Sequence, residues 1–232
     1  MPFQELHRKV TSIALRAAGQ YGFALGGGNA LMEYGIVDRL TQDVDLFTNN
    51  ETIVPVAAGT VEDALRAEGY LPERQDKDNG LDDIFDGMQD GLAEWIVTAP
   101  SGDQMMLQLA YFDRTHDPVD LGDGIGPVLA IEDVIAGKTA ALAARSYVRD
   151  YIDMAQILRT YLVVQVIALA RQLDPGLEDA DFADAGLRLD ELDDAAFARY
   201  GLTPTDVAAL RGQFATWPRT APPRTGADPE PG

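Results

Sequence analysis

Three glycines and an asparagine, Gly26-Gly27-Gly28-Asn29, separate a short apolar run (Tyr21–Leu25) from a segment of helical character over 30–35. Glycine admits backbone conformations closed to other residues, and a helix that starts at such a turn points its first N–H groups at whatever sits in front of it. Upstream, residues 4–18 place Leu6, Val10, Ile13 and Leu15 at the spacing of an amphipathic helix. Downstream, residues 42–48 (QDVDLFT) alternate polar and apolar, the period of a half-buried strand. The first fifty residues therefore read helix, strand, glycine turn, short helix, strand. The turn is not a Walker loop, since no Gly-Lys-Ser/Thr follows, and its spacing is not that of a dinucleotide fingerprint.

The second strand carries Asp43-Val44-Asp45-Leu46. Residues i and i+2 of a strand face one side, so the two carboxylates project together while Val44 and Leu46 face a core. Like charges that close call for a cation between them. The chain has no cysteine and only His7 and His116, which excludes disulfides, thiol nucleophiles and multi-histidine zinc sites. Hard oxygen ligands then point to Mg²⁺ or Mn²⁺. Taken alone, an Asp-x-Asp also fits the solvated face of an edge strand.

Farther along, residues 60–69 read as a helix. Glu94–Thr98 and Gln104–Phe112 read as a hairpin across Pro100-Ser101-Gly102-Asp103. The polar stretch 72–90 has no clear assignment. Residues 131–145 and 148–172 carry long helical patterns, and a change of lobe is expected near Gly126-Pro127. If the helix were continuous, Lys138, Leu142, Arg145, Arg149 and Asp153 would share one face; a break near Ser146 would reorient Asp150. This is a basic stripe suited to a triphosphate, although an Arg149–Asp153 helix pair with a solvated Lys138 explains it as well. Thr203-Pro204 marks a helix start, and the proline-rich tail from Pro218 is expected to be disordered.

The chain carries 18 basic and 38 acidic residues, a net charge of −20. That disfavours a protein that coats a nucleic-acid backbone. Nine of the acids lie between Asp174 and Asp194, so the acidity is concentrated away from the motifs. No apolar run reaches the roughly 18 residues a membrane span needs, and the N-terminus has no signal-peptide core. A soluble cytoplasmic protein is expected, with no membrane partner.

Together the motifs are more specific. Gly27-Gly28-Asn29-Ala30-Leu31, Tyr34-Gly35, Arg39-Leu40-Thr41 and Asp43-Val44-Asp45-Leu46 closely resemble the AbiEii/AbiGii toxin group of the polymerase-beta-like nucleotidyltransferases, and Lys138 through Arg149-Asp150 to Asp153 resembles its later Lys/Arg-Asp motif. The group includes the mycobacterial tRNA-modifying toxins, and the likeness covers roughly residues 20–160. It implies an α+β (α/β) fold: a nucleotidyltransferase palm with a mixed sheet (1–126), a helical C-terminal lobe (127–217) and a tail (218–232). Asn29 stands where the group usually has Ser or Thr. No third acid is obvious on the later palm strand, where Gln108 faces inward and Asp113 lies at the end.

The resemblance also implies roles. Asp43 and Asp45 would hold Mg²⁺ or Mn²⁺. Gly27, Gly28, Asn29, Lys138 and Arg149 would bind the NTP. Asp150 would serve as base or positioning acid, with Asp153 or Asp113 as other candidates for the missing acid, and Arg39 would be a structural salt bridge. The implied activity is transfer of NMP from an NTP to an acceptor hydroxyl, by a toxin acting on tRNA 3′ ends or other RNA and paired with an antitoxin. The alternatives are an aminoglycoside-type adenylyltransferase, favoured by the acidic surface, and a degenerate nucleotide-binding module.

Overall fold

The computed structural model describes residues 3–38, 41, 43–75, 91–122 and 124–221. Arg39, most of the polar stretch 72–90 and the tail from residue 222 lie outside the described residues. The chain forms two compact units, Met1–Val134 and Ile135–Gly232.

The first unit opens with α1 (Phe3–Ala18), followed by a 3₁₀ turn over Gly19–Tyr21. Gly22, at φ +76°, then admits the chain to β1 (Ala24–Leu25). The predicted strand from Tyr21 is thus cut to two residues by that left-handed turn. Next come α2 (Gly27–Glu33), β2 (Asp43–Thr48), α3 (Val54–Ala67), β3 (Leu71–Arg74), β4 (Leu92–Thr98), β5 (Gln104–Tyr111), β6 (Val119–Asp120) and β7 (Pro127–Val128). Gly27 and Gly28 therefore form the first turn of α2 instead of preceding it. The seven strands make one mixed sheet in the order β3-β4-β5-β2-β1-β7-β6. β2 runs parallel to β5 and β7 parallel to β1, while β4 and β5 form the expected antiparallel hairpin.

Strand alternation assigns the faces. Val44, Leu46, Trp95, Val97, Leu107 and Leu109 are buried on one side, against α1 and α3. Trp95 Nε1 donates to Glu62 of α3 at 2.9 Å, so the one polar atom of that large ring is satisfied inside the core. Burying side chains of this size stabilises by about 1.5–3 kcal/mol each. Asp43, Asp45, Gln108 and Glu94 occupy the other, half-buried side.

Gly126-Pro127 does not mark the lobe change. Val128 pairs with Leu25 of β1, so the stretch stays with the sheet, and the division falls within α4 (Ile131–Arg145). The second unit continues through α5 (Val148–Ile157), α6 (Val163–Leu173), α7 (Asp179–Glu191), α8 (Asp194–Ala198) and α9 (Pro204–Gln213). The single helical pattern over 148–172 is thus two helices. Tyr151, Phe182, Phe197, Phe214 and Trp217 form an aromatic core. Tyr151 OH donates to the Ala185 carbonyl at 2.7 Å, and Trp217 Nε1 donates to that of Phe182 at 2.9 Å. Thr203 caps α9 with Pro204 at its first position, as the sequence indicates. The start of the tail is anchored: Arg219 donates twice to Asp190 of α7, at 2.8 and 3.0 Å. No helix among the described residues is long and apolar enough to cross a membrane.

Candidate active site

Two strands and a glycine turn build the centre of the first unit. Gly26 N donates to the Asp45 carbonyl at 2.9 Å, so the turn is bonded directly to β2. Gly26 also lies against Phe47, where a Cβ would come within 2.2 Å of the ring. At Gly27, with φ +60°, a Cβ would stand 1.9 Å from Asp45 Oδ2. Only glycine leaves the Asp45 carboxylate its present place beside the backbone at the start of α2.

Asn29 fastens the same junction. Its Nδ2 donates to the Asp43 carbonyl at 2.7 Å, and its Oδ1 accepts from Thr41 Oγ1 at 2.7 Å. An amide both donates and accepts here, a pair of bonds that a single hydroxyl would make differently. Thr41, which the sequence offers as part of the Arg39-Leu40-Thr41 motif without a role, thus fixes the Asn29 amide by its hydroxyl. His7, on α1, is buried, and burial holds its pKa below the ordinary value, against the pull of Asp43, which acts to raise it.

Across the sheet, register sets a polar row. Asp45 pairs with Gln108, and Gln108 pairs with Glu94. Gln108 Nε2 donates to Glu94 Oε1 at 3.1 Å. Glu94 is therefore an acid beside the strand position at which the sequence offered only Gln108, on the strand away from Asp45. Asp113 is exposed and lies five residues past Gln108, about 16 Å along the chain direction if fully extended. It does not join Asp43 and Asp45.

In the second unit the basic stripe is not one continuous face. α4 ends at Arg145, and Ser146 adopts φ +52°, uncommon for a residue with a Cβ. The break folds cations onto acids. Lys138 Nζ donates to the fully buried Asp153 at 2.8 Å. Arg145 grips Asp150 with Nε at 3.0 Å and Nη2 at 3.1 Å, a bidentate fork. Asp150 Oδ2 also accepts from Tyr147 N at 3.2 Å, which caps the start of α5. Arg149 is half-buried in the first turn of α5. Part of the stripe's positive charge is thus matched within its own helices, and Asp150 has a structural task at the break.

A family model described as nucleotidyl transferase AbiEii toxin, type IV TA system, matches residues 13–199. The chain belongs to this family. An AbiEii chain is a nucleotidyltransferase toxin, so it draws on an NTP as substrate and has an antitoxin as counterpart. This membership supports the enzyme reading over the non-catalytic module that the sequence left open. No curated protein matches the chain. Solved structures share the fold, two among them at TM-scores of 0.60 and 0.58. One is the nucleotidyltransferase toxin MenT4 from Mycobacterium tuberculosis H37Rv, at 16% identity and a TM-score of 0.60, covering 90% of this chain and 82% of that one. The other is JHP933 from Helicobacter pylori, at 16% identity and a TM-score of 0.58, covering 92% and 91%.

The carboxylates of Asp43 and Asp45 are hard oxygen donors of the kind that suit a divalent ion. Among the described residues no three His, Asp or Glu side chains converge as a ready metal cage. Asp43 and Asp45 supply two carboxylates on one face, and Gly27 keeps a cradle beside Asp45 that a Cβ would fill. Mg²⁺ is commonly held in this manner, by one or two carboxylates completed by phosphate oxygens and water.

Proposed function

We propose that the chain is a Mg²⁺- or Mn²⁺-dependent transferase that moves NMP from an NTP to the terminal hydroxyl of an RNA, with tRNA 3′ ends as the acceptor. The observation that carries the reading is the Asp45 carboxylate set against the Gly27 backbone, with Asp43 on the same face of β2. In the reaction the acceptor oxygen bonds to the α-phosphorus, the bond from that phosphorus to the α–β bridging oxygen breaks, and pyrophosphate leaves with the electron pair as the hydroxyl proton is released. A bound divalent ion would supply charge neutralisation and acidify the hydroxyl. Asp43 and Asp45 would hold it. The backbone of Gly27 and Gly28 would lie along the β- and γ-phosphates, and the second N–H of Asn29 is the donor its amide has to offer them. Lys138 and Arg149 would bind the triphosphate, Lys138 by exchanging part of its contact with Asp153. Asp150, held by Arg145, would act as a positioning acid. A cytoplasmic site of action accords with an NTP substrate and an RNA acceptor.

A net charge of −20 is the observation that favours a second reading, an adenylyltransferase acting on a cationic small molecule such as an aminoglycoside. One experiment separates the two. The protein is incubated with each α-labelled NTP, Mg²⁺ and either total tRNA, tRNA with periodate-oxidised 3′ ends, or aminoglycosides. Transfer to intact tRNA but not to oxidised tRNA supports the proposal. Transfer to the aminoglycoside alone, with resistance in place of growth arrest on expression, supports the second reading.

A further inference from the structure

The row Asp45–Gln108–Glu94 holds more than a missing carboxylate. β5 lies between β2 and β4, so Gln108 has an acid on each side in register. Adjacent strands are about 4.8 Å apart, which puts the Glu94 and Asp45 backbones roughly 10 Å from each other. Glu94 stands two strands from Asp45 and bonds the residue between them. An ionised carboxylate only accepts hydrogen bonds, so Gln108 must turn its NH₂ towards Glu94, as the 3.1 Å bond shows. The carboxamide has one donor end and one acceptor end. With the donor end committed to β4, the oxygen is left for the β2 side, where Asp45 lies.

We propose that Glu94 is a positioning residue, fixing the Gln108 carboxamide so that its oxygen serves as a neutral third donor beside Asp43 and Asp45 for the divalent ion and its triphosphate. The proposal rests on the reading of the site given above and adds a residue that reading does not use. Its physical sense lies in the charge. A carboxylate at position 108 would have like charges directly opposite on both neighbouring strands, which is destabilising. A carboxamide supplies an oxygen without that repulsion, but it presents the oxygen only if something dictates which end points where. A glutamate dictates it; a glutamine at 94, able to donate as well as accept, does not.

The test uses the full chain, with Mn²⁺ as probe in the presence of a non-hydrolysable NTP analogue, followed by paramagnetic resonance. Label transfer and thermal melting are measured on the same preparations. Glu94→Gln is expected to weaken Mn²⁺ binding five- to tenfold and to lower kcat at least tenfold, with KM for the acceptor unchanged and melting within a few degrees of wild type. The exchanged pair, Glu94→Gln with Gln108→Glu, rebuilds the amide–carboxylate bond in reverse and places a carboxylate beside Asp45. It is expected to bind Mn²⁺ at least as tightly as wild type. If wild type binds Mn²⁺ and transfers label while Glu94→Gln matches it within twofold, or loses melting temperature without losing Mn²⁺ affinity, the proposal is wrong and the site reading stands. If the exchanged pair binds Mn²⁺ more weakly than Glu94→Gln alone, the proposal is also wrong. A wild-type chain that neither binds Mn²⁺ nor transfers label overturns the site reading, and this proposal with it.

Discussion

Gly27→Ala puts a single methyl group where the site has no room for one. Its Cβ would lie 1.9 Å from Asp45 Oδ2, and carbon–oxygen contact is ordinary only from about 3.4 Å, so the carboxylate must retreat by roughly 1.5 Å. The backbone at φ +60° adds the left-handed penalty of about 1–2 kcal/mol for a residue with a Cβ. Stability suffers modestly, because the obstructing atom is the end of a side chain that can swing. At about 2–4 °C per kcal/mol for a chain of this size, melting falls by about 2–8 °C. Activity suffers far more, since a misplacement of 1 Å in a reacting group costs about a hundredfold. Gly102→Ala is the control: it is also left-handed, at φ +87°, but a Cβ there meets nothing within 4 Å. The two variants should melt alike, while label transfer falls a hundredfold or more in Gly27→Ala and stays within threefold of wild type in Gly102→Ala. Equal activity in the two would refute the role assigned to the glycine turn.

Asp153→Asn removes the buried carboxylate that takes Lys138 at 2.8 Å, and a loss of about 1–3 kcal/mol in urea unfolding is expected; an unchanged midpoint would show that the pair is not structural. Gly186→Ala should destabilise despite alanine's helix preference, by about 1–3 kcal/mol, because its Cβ would stand 2.0 Å from the Pro218 carbonyl oxygen; a stabilised variant would contradict the packing of residues 217–219 on α7. The pKa of His7 is lowered from 6.5 by burial, so its contribution to stability is complete above pH 6.5 and is lost as pH falls below that value. The urea midpoint of wild type should therefore fall between pH 7.5 and 5.5 by more than that of His7→Gln, and parallel declines would exclude this linkage.

The palm was legible because its signals are local. Alternation set the faces of β2, β4 and β5, and the hairpin turn set the pairing of β4 with β5. The pairing also held the position of Glu94: if Thr98 faces Gln104, counting back four and forward four brings Glu94 to Gln108. Reading polarity strand by strand, without that count, leaves the acid unseen. The Ser146 break was legible only as a possibility, since serine is not a residue that announces a left-handed turn, and the ion pairs of Lys138 and Arg145 decide it. β3 escaped notice because Leu71–Arg74 is an edge strand with one buried residue, Pro72, and no alternation to detect. Pro127 looked like a boundary, yet a proline at the first residue of a strand is compatible with pairing.

The central claim is that Asp45, set against the glycine turn, is indispensable to nucleotidyl transfer. Its most direct measurement is label transfer from α-labelled NTPs to tRNA by wild type and by Asp45→Ala, each shown to be folded by its melting curve. Transfer by wild type, abolished by EDTA and absent from a folded Asp45→Ala, is the predicted result. Transfer by Asp45→Ala at the wild-type rate would contradict it.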